Sequence, residues 1–381
     1  MRFQINSKVK KVRNKSVAVL DIRSSEIVAA VAQKGVNNTF ILKSKCSIPY
    51  DGFAEGELLD IKNFKSAIKK AYRDAITSYG APVKQVFVGI PGEFLTVEQT
   101  DKVISFQSPE RISKRHIESL INASLPDTGR DSVIIKCSPL YYVLSDNRKV
   151  ISPMGEVSSN LRARLSFFSC KSEILECVQN AFESVSDVKV FNWVPSIQAE
   201  VLYLIEPEKR DNFAVMLDLG EISSTFAVAC GNGIAFSESF SVGVNHVAVL
   251  LMEALDIPYD VALWFIKNVN LNAKEKLVSY EEYNEDGKIY KFPSAEIKEY
   301  IREGLDVLCG IIEECRQSYV GKDLSNKPLL ITGEGVGVIR GLNEHLSSRL
   351  VTPVDVIVPK LPYYDKPQFS SLFSLLAYVL G

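Results

Sequence analysis

The sequence is poor in the residues that build metal and redox chemistry. Its three histidines, His116, His246 and His345, are scattered along the chain and give a histidine-based metal site little to build on. The seven cysteines form no CxxC pair and sit in mostly apolar surroundings, which fits buried thiols in a reducing cytoplasm better than a disulfide framework. No stretch of eighteen apolar residues occurs, so no transmembrane helix is expected. An excess of one charge is also lacking: 44 basic and 46 acidic residues leave a net charge of −2, and no global basic field argues for nucleic acid. The leader "MRFQINSKVKKVRNKS" has six basic residues and no acid, but not the apolar core of a signal peptide. It reads as a solvated, flexible tail over residues 1–15, with a contact to an acidic membrane or a partner as the alternative.

What is present is a repeated phrase. "VAVLDIRSSEIVAAVAQKG" runs from Val17 to Gly35, and "AVMLDLGEISSTFAVACGNG" from Ala214 to Gly233. Each is an apolar run ending in an aspartate, a Ser-containing turn and a second apolar run, which reads as strand, tight turn, strand. Near-continuous apolarity places both leading strands inside a sheet covered on both faces. Helical patterns follow each copy: "DIKNFKSAIKKAYRDAITSYG" after the first, "VNHVAVLLMEAL" and "PYDVALWFIKNV" after the second. Duplicated strand-and-helix units in a chain of 381 residues imply two similar lobes with a cleft between them.

Two segments interrupt the pattern. Residues 85–170 read as a small α+β unit, and 256–325 as a mainly helical one. "KPLLITGEGVGVIRGL" then reads as a buried strand, a glycine turn and a helix start, and the chain finishes on the short apolar helix "SSLFSLLAYVLG".

A turn between antiparallel strands points successive N–H groups into one small space, a cradle for phosphate oxygens. Asp21 and Asp218, at the ends of the two leading strands, suit hydrated Mg²⁺. Their other reading is as turn residues whose carboxylates bond local backbone N–H groups, as the serines beside them also can.

In the order of these elements the chain resembles the actin–Hsp70–hexokinase superfamily, and within it the FtsA proteins of bacterial cell division. The resemblance rests on "YDGFAEGELLDI" (50–61), "VKQVFVGIPGEF" (83–94), "SPLYYVLSDNRKVISPMGEVSSNLRARL" (138–165), "DLGEISSTFAV" (218–228), "FSVGVNHVAVLLMEAL" (240–255) and "ITGEGVGVIRGL" (331–342). Pilus-assembly PilM shares the layout. The resemblance implies an α/β, two-lobed actin-like ATPase fold of duplicated ribonuclease-H-like lobes. Its parts would be subdomain 1A (16–84 and 171–196), an inserted 1C (85–170), 2A (197–255 and 326–381) and a helical 2B insertion (256–325). It further implies ATP and Mg²⁺ in the cleft, held by Asp21, Arg23, Ser24, Ser25, Asp218, Gly220, Ser223, Ser224, Gly243, Gly333 and Gly335, with Asp21 and Asp218 on the metal.

The chain departs from the family pattern where phosphate would sit. Arg23 replaces a glycine and Glu26 a lysine; only Gly220 survives of three glycines in the second turn; Thr225 stands for an aspartate and Glu334 for a glycine. Leu263 and Trp264 replace residues that meet the nucleotide in the family. Lost φ-permissive glycines and gained carboxylates weaken a phosphate site, so the expectation is weak or absent ATP binding and no rapid hydrolysis.

Three functions follow as expectations. The first is an FtsA-like cytoplasmic scaffold that self-associates and links the tubulin-like FtsZ, or another division protein, to the division site. The second is a PilM-like pilus or secretion component, and the third an active ATPase of the superfamily. The family's membrane-binding amphipathic helix would follow the last folded helix, within which this sequence stops at Gly381, so no direct tether of that kind is expected.

Overall fold

In the computed structural model the described residues are 16–36, 39–183, 188, 190–274, 279–285 and 287–381; the basic leader lies outside them. Two five-stranded sheets dominate. In the first, Val17–Ile22 pairs antiparallel with Glu26–Lys34, which pairs antiparallel with Phe40–Pro49. On its other side Val17–Ile22 runs parallel to Gln85–Ile90, which is parallel to Val190–Pro195. The second sheet repeats this order and these directions with Gly233–Phe240, Ser224–Cys230, Ala214–Leu219, Leu329–Thr332 and Val354–Val356. The duplicated phrase is therefore the centre of a duplicated sheet.

Alternation along the strands sorts side chains to the two faces. In the first sheet Ala18, Leu20 and Ile22, with Val86, Val88 and Ile90, face the helices Ile61–Tyr79 and Ser172–Phe182. Ile61–Tyr79 starts where the Asp60 carboxylate accepts the N–H groups of Lys62 and Asn63, at 2.7 and 2.9 Å. It ends at Gly80 in the left-handed region. Val17, Val19, Val28 and Phe87 face the other way, against Leu372, Phe373 and Leu376. This last contact differs from the sequence division, which gave 326–381 wholly to the second lobe: the helix Ser370–Leu380 covers the first sheet. The alternating apolar set on that face needs a lid, because the helices Ile61–Tyr79 and Ser172–Phe182 both lie on the opposite face.

In the second sheet Val215, Leu217 and Phe226 pack on the helices Val244–Leu255 and Ser294–Ser318. Its reverse face, with Met216, Ala227 and Leu330, meets Ile197 and Val201 of the helix Ser196–Leu204. Ala199 of the same helix joins the first-sheet core, so this one buried helix lies between the lobes.

Between Gln85–Ile90 and Val190–Pro195 in the chain stands a third, antiparallel sheet of Leu95–Arg111, Val157–Lys171, Ser132–Leu144 and Lys149–Val150, with the helix Lys114–Ala123 packed on it. The segment read as mainly helical holds the helices Tyr259–Asn268 and Ser294–Ser318 and also an antiparallel hairpin, Tyr280–Glu285 with Lys288–Pro293. Its charge-rich strands masked it, although the Asp-Gly turn signal was present. Among the described residues all seven cysteines are free, and no helix is long and apolar enough to cross a membrane.

Candidate functional site in the interlobe cleft

The two leading strands deliver their turns to opposite walls of one cleft. The first turn is closed by Arg23 N–H donating to the Glu26 carbonyl at 3.0 Å. The glycine turn after Leu329–Thr332 lies on the second, where Gly335 N–H donates to the Leu219 carbonyl at 2.9 Å. Gly333 has φ of +106°, and a Cβ there would stand 2.4 Å from an Asp218 carboxylate oxygen, so this close approach requires glycine.

Arg23 sits at the centre. Its Nε donates to Asp21 Oδ2 at 2.8 Å, and its Nη1 donates to Glu26 Oε1 at 2.6 Å and, more weakly, to Glu334 Oε2 at 3.5 Å. Burial works against its charge, but the Asp21, Glu334 and Glu26 carboxylates outweigh that and raise its pKa. The other oxygen of the fully buried Asp21 accepts from Ser371 Oγ at 2.6 Å. Both oxygens of one predicted metal ligand are thus engaged by protein donors.

The serines face each other across the cleft. Ser24 Oγ accepts the Ile222 N–H at 3.1 Å and donates to Glu334 Oε1 at 3.4 Å. Ser223 Oγ donates to the Glu93 carboxylate, which also accepts from Ser241 Oγ at 2.9 Å and from Gly56 N–H at 3.0 Å. The remaining predicted residues build the turns. The Ser25 carbonyl accepts Tyr50 N–H, Ser224 Oγ donates to the Val242 carbonyl, and Gly243 leads into Val244–Leu255. Arg23, Ser24, Asp218, Gly220, Ser223 and Gly333 line one cavity of about 50 Å³, together with Glu93 and Glu334; Asp21, Ser25, Ser224, Gly243 and Gly335 lie behind this lining.

The electrostatics of the cleft are acidic. Burial, reinforced by the Asp21 charge and opposed by Arg23, pushes the Asp218 carboxyl up to about 7. Burial likewise pushes Glu334 up to about 7 against the pull of Arg23. Glu200, fully buried on the helix Ser196–Leu204 with neither oxygen hydrogen-bonded, is raised well above the carboxylate range by burial and then by Asp218 and Asp21.

Magnesium triphosphate does not fit these residues. A water needs roughly 10–15 Å³ on the same measure, so the cavity admits a few waters, whereas small-molecule sites occupy roughly 300–1,000 Å³. The central cation already faces three carboxylates through Nε and Nη1, only its Nη2 lacking a partner, and a polyanion would meet Glu334 and Glu93 beside it. Among the described residues no three Asp, Glu, His or Cys side chains are grouped to hold a metal ion.

Sequence reasoning missed Glu93, Ser241, Glu200 and Ser371. Glu93 and Ser241 carried a signal, standing inside the family-like phrases "VKQVFVGIPGEF" and "FSVGVNHVAVLLMEAL". Trp264 stacks on Tyr283 of the hairpin, with ring centroids 4.6 Å apart.

No protein-family model matches the chain. Its fold is that of a chain of the PilM–PilN type IV pilus biogenesis complex, with a TM-score of 0.65, 13% identity and coverage of 97% of this chain and 100% of that one. MreB5 of Spiroplasma citri, in a structure bound to ADP, aligns with a TM-score of 0.57 and 11% identity over 97% of this chain and 96% of that one. Duplicated sheets around a cleft together with these likenesses define an actin-like fold. In sequence the chain is similar to the cell division protein FtsA of Streptococcus pneumoniae, 24% identical over 373 residues, covering 93% of this chain and 78% of that protein. FtsA of Staphylococcus epidermidis is 20% identical over 376 residues, covering 94% and 77%. The chain is a divergent FtsA-like protein of the actin fold.

Proposed function

We propose that this chain is a scaffold of bacterial cell division that works through protein contacts and does not turn over nucleotide. Similarity to FtsA along nearly the whole chain supports the division role. The observation that carries the scaffold reading is that the two turns, where phosphate would be cradled, bond to each other through Ser24 and Ile222 and to carboxylates of the chain itself. In this reading residues 16–84 and 171–196, covered by the helix Ser370–Leu380, form subdomain 1A, and 197–255 with the rest of 326–381 form 2A. Residues 85–170 (1C) and 256–325 (2B) are the modules that meet copies of itself and a tubulin-like FtsZ. The protein then reaches the inner face of the membrane at the division site through its partners.

Fluorescence anisotropy with a labelled FtsZ C-terminal tail, beside calorimetry with MgATP, tests the proposal. Saturable tail binding with no heat from millimolar nucleotide is expected. Micromolar MgATP affinity with turnover would replace this reading by an active ATPase. Binding of a short peptide from a pilus membrane protein, with none of the FtsZ tail, would replace it by a PilM-like role.

A further inference from the structure

Two carboxylates cross the cleft in opposite directions. Glu93, in the turn Gly92–Phe94 of the first lobe, reaches Ser223 and Ser241 of the second. Glu334, in the glycine turn of the second lobe, reaches Arg23 and Ser24 of the first. Between them Ser24 Oγ holds the Ile222 N–H, and beside Glu93 the Glu55 N–H donates to Ser241 Oγ at 2.7 Å. Backbone of the first lobe also lies against side chains of the second: a Cβ on Gly92 would stand 2.3 Å from Thr225 Oγ1, and one on Gly52 would stand 2.7 Å from Ile222 Cδ1. The donors gathered here, three hydroxyls, a guanidinium and backbone N–H groups, are those that bind phosphate oxygens elsewhere.

We infer that Glu93 and Glu334 act as internal carboxyl acceptors that occupy the cleft's own anion donors and latch the lobes shut without a ligand. Each lobe lends one carboxylate to the donors of the other, so the latch is reciprocal and loss of either crossing loosens it. Closure of an interlobe cleft ordinarily draws on contacts to a ligand held between the lobes. Here the chain supplies those contacts itself, and a phosphate-class anion has to displace a tethered carboxylate to enter. This deepens the scaffold reading above and rests on its cleft working without nucleotide.

Amide hydrogen exchange reads the latch directly, because the Ile222, Glu55 and Gly56 N–H groups are its donors. The full chain without ligand is compared with Glu93→Ala, Glu334→Ala and Ser241→Ala, each alone. Ser241→Ala removes one crossing contact while keeping both carboxylates, and decides the matter should a charge variant fail to fold. Exchange over 52–56 and 220–224 is expected to rise at least tenfold in the variants, with the strands Val17–Ile22 and Ala214–Leu219 unchanged. The unmodified chain is expected to show the same protection with and without millimolar MgATP or tripolyphosphate. Wild-type exchange as fast as that of the variants would overturn the latch, as would protection that appears only when MgATP or tripolyphosphate is added. Failure to bind the FtsZ tail leaves this exchange pattern untouched, so the two proposals fail separately.

Discussion

Ser371 Oγ donates to Asp21 Oδ1 at 2.6 Å across a separation of 350 positions. Next to it Ser370 Oγ accepts from Thr332 Oγ1, also at 2.6 Å. The first turn of one helix thus holds the end of the first sheet's central strand, Val17–Ile22, and the end of Leu329–Thr332 in the second sheet. Replacing Ser371 by Ala leaves a fully buried carboxylate short of a donor, a loss of about 1–3 kcal/mol. The expected outcome is a lower midpoint of chemical denaturation with the m-value unchanged, and recovery of most of the loss in Ser371→Thr.

Glu334 gives the stability a pH dependence of predictable sign. Burial lifts its carboxyl to about 7, so the folded chain keeps a proton there that the unfolded chain has released at an ordinary carboxylate pKa. The stability this represents is full below about pH 4 and is lost as the pH rises through about 7. Between pH 6 and 8 the loss is on the order of 1 kcal/mol, and Asp218 acts in the same sense. Thermal unfolding at the two pH values should show the decrease in the unmodified protein and a flatter profile in Glu334→Gln.

Glu200 is expected to be a cost to the fold. It is fully buried, neither of its oxygens has a hydrogen-bond partner, and neighbouring carboxylates disfavour its charge. Glu200→Met keeps the volume and removes the polar group. A gain of about 1–3 kcal/mol is expected in urea denaturation at pH 8.

Val351 is 90% exposed and has φ of +50°, a left-handed conformation that disfavours a β-branched side chain. It follows the helix Leu342–Arg349 closely, where glycine is the usual residue. Relief of about 1–2 kcal/mol of strain, offset by about 0.5–1 kcal/mol of chain entropy, makes Val351→Gly stabilising by up to about 1.5 kcal/mol. Calorimetry should record a small rise in Tm.

What was legible in the sequence was local. The repeat at Val17 and Ala214 announced two like sheets because strand, turn and strand follow each other directly in the chain. Asp60 and Gly80 marked both ends of a helix. Arg23, Ser24, Asp218, Gly220, Ser223 and Gly333 were named from the turns together with the family resemblance, and they line one cavity. The roles of Glu93, Ser241 and Ser371 were not legible because they depend on partners 130 or more positions away. The docking of Ser370–Leu380 on the first sheet escaped for the same reason: an apolar stripe states that a helix is buried, not against what.

That docking has a consequence for how the protein is made. Val17, Val19, Val28 and Phe87 emerge early from the ribosome, yet Leu372, Phe373 and Leu376, which shelter them, are translated last. At roughly 5–20 residues per second the nascent first lobe shows bare hydrocarbon for on the order of ten seconds or more. A chaperone that holds exposed apolar faces is the natural companion of this polypeptide during its synthesis.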